Sequence, residues 1–130
     1  MRDHIHFRGR VPHKQILTEI MSSDYTIFIR YLSRVIKAGF PSKLAESLTY
    51  GTPAISNNYI SIERYTLEGK NHLALDLNDE NARIETLQQI LSAPPETHKQ
   101  MKDYCQANMP FDYREFIDIV RDFMAATNIS

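Results

Sequence analysis

Residues 39–56, GFPSKLAESLTYGTPAIS, compress a loop, a helix and a strand into one short stretch. Gly39 and Pro41 punctuate the chain ahead of Leu44, Ala45 and Leu48, which recur at helical spacing, so a helix starts at Pro41 and stops at Gly51. Pro53-Ala54-Ile55-Ser56 then reads as a short strand, with Asn57-Asn58 as its turn. On the N-terminal side, Tyr25-Thr26-Ile27-Phe28-Ile29 is β-branched and aromatic, the pattern of a buried strand. Two apolar strands joined through a helix are the unit of a parallel sheet.

Further out, Ile16, Leu17, Ile20 and Met21 place an apolar stripe on a helix over residues 13–22, entered at Pro12. Ile5 to Phe7 is a first strand ending in Arg8-Gly9-Arg10. Toward the C-terminus, residues 60–67 read as a short helix stopped near Gly69, and residues 73–77 as the last strand. Asp79 then caps a helix carrying Ile84, Leu87, Ile90 and Leu91. Pro94-Pro95 breaks it and begins another, and Asp112 caps a third with Phe116, Ile119, Val120 and Phe123. The expected class is α/β: a parallel sheet of about four strands flanked by helices, with a helical C-terminal tail. One domain is expected over residues 1–130, its sheet core at about 5–77 and its tail at about 79–126. Ligands of such sheets sit beyond the carboxyl ends of the strands, here the loops 8–13, 30–41 and 56–61.

Charge agrees with that location. Residues 1–43 hold eight Lys or Arg against three acids, whereas residues 44–130 hold seven against thirteen. A phosphate-bearing ligand is drawn to the first part. Interleaved basic and aromatic strands are absent and so is zinc-finger spacing, which argues against nucleic acid as partner. Cys105 is the single cysteine, no secretion signal is evident, and no run approaches the roughly 18 apolar residues of a membrane span, so the chain reads as cytoplasmic. His4, His6, His72 and His98 lack metal-ligand spacing with acids or Cys105, and no metal is expected.

The run over residues 39–55 closely resembles the signature of the retaining glycosyltransferases built from two facing Rossmann-like domains (the GT-B type), the group 1 family that contains glycogen and sucrose synthases. Phe7-Arg8-Gly9-Arg10-Val11 resembles that family's strand-to-loop segment beside the nucleotide base. Residues 63–71 resemble the stretch leading to its last sheet strand. The resemblance covers residues 5 to about 91 and implies an incomplete Rossmann-like donor domain. The implied activity is transfer of a sugar from a nucleotide-sugar donor, a substrate rather than a cofactor, to a saccharide or lipid-linked acceptor. Sugar-nucleotide epimerases share the fold and are the rival enzyme class, and a non-catalytic nucleotide-binding or assembly fragment is the third reading.

Site residues follow from the same likeness. Glu46 is implied to accept hydrogen bonds from the ribose hydroxyls, as a carboxylate can from a vicinal diol. Gly39, Phe40 and Pro41 are implied to lie along the donor sugar and its phosphates, where helix-start amides suit an anion. Lys43 and Arg34 are candidates for phosphate contact, with Lys37 behind them. Backbone groups at Arg10 and Val11 are implied to contact the base, and His13 to contribute a helix-start contact. The family's usual pattern places a glutamate immediately before the glycine. Here that position is Ala38, which removes one contact to the donor sugar, and no catalytic residue is assigned.

The resemblance also implies partners. The acceptor-binding N-terminal domain and the upstream part of the donor domain are expected to belong to a larger parent protein, with this chain inactive alone. The parent could act at the inner face of the membrane on a lipid-linked acceptor. The strand at 25–29 would then lie at an open sheet edge. Either residues 5–7 pair beside it, or the chain forms a homodimer through it.

Overall fold

In the computed structural model, which describes residues 4–31, 33, 39–58 and 62–127, three parallel strands form the sheet in the order β1-β2-β3. They are β1 (Thr26–Ile27), β2 (Ala54–Ser56) and β3 (His72–Ala74). Thr26 pairs with Ala54 and Ile27 with Ile55; on the other side Ala54, Ile55 and Ser56 meet His72, Leu73 and Ala74. The parallel α/β class stands, with three strands in place of four. Residues 5–9 are irregular and exposed. The alternation of Ile5 and Phe7 has no neighbour to pack on among the described residues, and Phe7 is 95% exposed. Pairing of residues 5–7 beside β1 is therefore not what the chain does.

Five α-helices surround the sheet among the described residues: α1 (His13–Ser22), α2 (Ser42–Thr49), α3 (Glu80–Ser92), α4 (Pro95–Ala107) and α5 (Ile117–Ala126), the last preceded by a 3-10 turn at Tyr113–Phe116. Asp79 caps α3 by accepting from the Ala82 amide at 3.0 Å, and Asp112 caps the 3-10 turn through the Arg114 amide at 3.0 Å. The helix expected over residues 60–67 is, in its described part, a turn at Ile62–Tyr65 closed by the Tyr65 amide on the Ile62 carbonyl at 2.9 Å. Asn71 ends it: its side chain accepts from the Leu67 amide and donates to the Tyr65 carbonyl, drawing the backbone away from helical pairing.

Alternation along β2 divides the core. Ala54 faces Leu44 and Leu48 of α2, Ile62 and Cys105 of α4, with Phe28 and Phe111 packed against them. Ile55 faces the other layer, with Leu75 and Ile90 of α3 beside Tyr25, Leu73 and Leu87. The sheet is thus covered on both faces, as an all-parallel sheet requires.

A chain of hydroxyls fixes the α1 edge. Thr52 Oγ1 donates to the Ile20 carbonyl at 2.7 Å. Ser47 Oγ donates to the Thr52 carbonyl at 2.6 Å and lies 2.6 Å from Thr26 Oγ1. Because the Ser47 proton goes to a carbonyl, Thr26 must be the donor to Ser47. Lys102 Nζ donates to the Met21 and Ser23 carbonyls at 2.9 and 2.6 Å, a cation on the negative end of α1.

Gly51 ends α2 at φ +75°, and a Cβ there would stand 2.6 Å from Gln106 Cγ. A left-handed residue in close contact with α4 explains why the helix stops at glycine.

Candidate functional site

The helix start at residues 39–42 is held from below. Pro41 is buried, and its carbonyl accepts from the Leu44 and Ala45 amides at 3.0 and 3.4 Å. Phe40 is turned the other way. Its ring meets Tyr65 edge-on at 5.3 Å and Phe111 at 5.5 Å, and those two rings lie 4.9 Å apart. The Phe40 side chain is thereby occupied in joining the loop to the C-terminal tail, which leaves backbone groups as what Phe40 can offer a ligand.

Glu46 occupies the second turn of α2. Its Oε1 is 3.9 Å from Nε2 of His13, the first residue of α1. Its side chain is about one-third exposed. Lys43 and Glu46 line a hollow of about 270 Å³ with Ile16, Ile20, Ile27 and Phe28. Val11 lines a neighbouring hollow of about 230 Å³ with Arg8, Ile16 and Ile20, and Arg8 pairs with Glu19 at 3.7 Å. The two helix starts thus bring the segment around Val11 to His13 toward Lys43 and Glu46, residues some thirty positions apart. Arg10 is exposed nearby and makes no ion pair or hydrogen bond among the described residues. Arg34, Lys37 and Ala38 lie outside the described residues.

A larger cavity of about 590 Å³ opens where the three strands end. Arg30 and Tyr31 follow β1, Asn57 and Asn58 follow β2, and Asp76 and Asn78 follow β3. Asn57 organises it. Its Oδ1 accepts from the Arg30 amide and its Nδ2 donates to the Arg30 carbonyl, both at 2.9 Å. The buried amide therefore stands in for another rung of the ladder between β1 and β2. Asp76 Oδ1 accepts from the Asn78 amide at 2.8 Å and shapes the third wall. Asn57 and Asn58 were legible as the turn beyond β2. Arg30 and Asp76 were not singled out, although each follows a strand, the signal that should have found them.

Behind this cavity Ser56, His72 and Glu68 stand in an order that mimics a nucleophile relay. Ser56 Oγ is 2.8 Å from His72 Nε2, and His72 Nδ1 is 3.6 Å from Glu68 Oε2. Ser56 and His72 are both inaccessible, and the Glu68 carboxylate also accepts from the Ala74 amide at 3.1 and 3.0 Å. No substrate can reach such a serine, so the three side chains tie β2 to β3. Burial holds the His72 imidazole below its ordinary pKa, and Glu68 partly opposes that shift.

Open parallel strands, helices on both faces and polar groups gathered at the carboxyl ends define the ligand-binding α/β class. The glycosyl transferases group 1 family model matches residues 1–107. The chain belongs to that family, whose activity is glycosyl transfer. No curated protein matches the chain at a significant level. No solved structure does either. No described helix is long and apolar enough to cross a membrane.

Proposed function

We propose that this chain supplies part of the donor site of a retaining, nucleotide-sugar-dependent glycosyltransferase acting on a saccharide or lipid-linked acceptor. The observation that carries this reading is the position of Glu46. It is a partly exposed carboxylate on the helix that follows Gly39-Phe40-Pro41, and it faces His13 at the start of α1 across 3.9 Å. Two oxygens at that place suit the paired hydroxyls of a ribose. The base then lies along the Arg10 and Val11 backbone. Lys43, on the exposed first turn of α2, meets a phosphate.

The sugar extends toward the strand-end cavity, whose Arg30, Asn57, Asn58 and Asp76 offer donors and acceptors suited to a hydroxyl-rich ring. Acceptor contacts and the remaining donor contacts come from a facing domain. Without closure by that domain water reaches the reacting centre, so the chain alone binds donor weakly and transfers no sugar.

Backbone-amide NMR titration with UDP, GDP, ADP and their sugar conjugates tests the proposal. Saturable shifts at residues 10–13, 39–44 and Glu46, lost in Glu46→Ala, are expected. Shifts that survive Glu46→Ala unchanged, or that cluster away from both helix starts, would overturn it. Robust sugar transfer by the isolated chain would refute the requirement for a facing domain.

A further inference from the structure

The three rings that meet at the entry to α2 come from separate segments: Phe40 from the loop, Tyr65 from the turn between β2 and β3, and Phe111 from the stretch after α4. Two of them are anchored. The Tyr65 amide donates to the Ile62 carbonyl at 2.9 Å, and the Tyr65 carbonyl accepts from Asn71 Nδ2 at 3.0 Å; Ile62 and Asn71 are both buried. Phe111 packs against the cluster of Leu44 and Leu48. Its segment is tied at both ends, because the backbone and side-chain amides of Asn108 donate to the Tyr104 carbonyl at 2.9 and 3.0 Å and Asp112 caps the following turn. Phe40 differs. Among the described residues neither Gly39 nor Phe40 makes a hydrogen bond, and no side chain caps α2. Beyond the buried Pro41, the Phe40 ring is what joins this helix start to the rest of the fold.

We infer that Phe111 and Tyr65 are positioning residues for the donor site: they hold the Phe40 ring, and through it they fix the direction of the backbone groups at Gly39, Phe40 and the first turn of α2. This rests on the donor-site reading given above. The family match ends at residue 107, before Phe111, so the tail that follows the family pattern takes on a task in the site. Ring geometry is the physical reason. Phe40 meets its two partners at interplanar angles of 78° and 66°, an edge-to-face arrangement that an aliphatic side chain of similar size does not reproduce. With that contact gone, the helix-start amides are spread over several directions, and binding an anionic ligand must first gather them. The cost of that ordering is taken from the affinity.

Amide NMR of the chain without ligand, followed by titration with the sugar conjugates of UDP, GDP and ADP, tests this. Phe111→Leu keeps an apolar group on the Leu44 cluster and removes the ring. Its amide signals over residues 39–44 are expected to move and to exchange faster before any nucleotide is added. The donor Kd is expected to rise about three- to tenfold, and Phe111→Tyr, which keeps the ring, to restore both. Ile90→Val thins the opposite layer of the core; it is expected to lower global stability without moving those signals or the Kd, which separates positioning from general support of the fold. Should Phe111→Leu not fold, Tyr65→Leu removes the same ring contact from the other side and is expected to move the same signals. Unmoved signals over 39–44 in the ligand-free variants would overturn the inference whatever the nucleotides do, as would an unchanged Kd once the loop has moved. Moved signals in a chain that binds no nucleotide, wild type included, would overturn the donor-site reading instead.

Discussion

Ser47→Ala removes a single oxygen from a fully buried position, and the structure sets its effect. Two hydrogen bonds go: Ser47 Oγ to the Thr52 carbonyl and Thr26 Oγ1 to Ser47 Oγ, both at 2.6 Å. Each is worth about 1 kcal/mol net, and a buried carbonyl left without a donor adds about 1 kcal/mol or more. The Thr52 carbonyl is buried and loses its side-chain donor, whereas the Thr26 hydroxyl is half-buried and can turn toward water. The expected loss is therefore about 2–3 kcal/mol. It should appear in urea denaturation as a lower midpoint with unchanged slope. The cycle with Thr26→Val should show a coupling of about 1 kcal/mol, because the Thr26 partner is already missing in Ser47→Ala. A Ser47→Ala cost below about 0.5 kcal/mol, or full additivity with Thr26→Val, would refute the paired hydroxyls as the tie between α2 and β1.

Asn57→Ala strips the Arg30 amide and carbonyl of their partners. It should cost about 2 kcal/mol and speed hydrogen exchange at Arg30 selectively; unchanged exchange there would contradict the clamp. Gly51→Ala places a Cβ at a left-handed φ and against Gln106, with an expected loss of about 1–2 kcal/mol in the same denaturation assay. Burial depresses the folded pKa of His72, so the unfolded chain binds the proton first as pH falls. Stability should decline as pH drops below about 6.5 and level off beneath the folded value, and His72→Gln should flatten that part of the profile. Burial pushes the Cys105 thiol up to about 11; the native chain should resist thiol reagents at pH 8 and lose stability from about 8.5 upward, as the unfolded thiol ionises first.

The periodicity of residues 39–56 was enough for the helix and strand they form, because Leu44 and Leu48 face one layer and Ile55 the other in the parallel sheet. Asp79 marked its helix start and Asp112 the 3-10 turn that leads into α5, since a cap depends on neighbours two or three residues away. Residues 5–7 misled: alternation signals a strand only where a neighbouring strand completes the ladder, and none does so among the described residues. Residues 62–67 misled in the opposite sense, because Asn71 competes for their backbone groups.

Glu46 could be singled out from the sequence because it stands off the Leu44 and Leu48 stripe within a motif. Its meeting with His13, the engagement of Phe40 by Tyr65 and Phe111, and the clamp of Asn57 on Arg30 could not, since each joins residues far apart along the chain. Apart from the turn at residues 62–67, the amino-acid order by itself determined which segments are helices, which faces are apolar and to which family the chain belongs. These follow from local spacing and side-chain chemistry. The order of the strands and the cavity where they end were decided only by tertiary structure, because each depends on which backbone groups pair once the segments have packed.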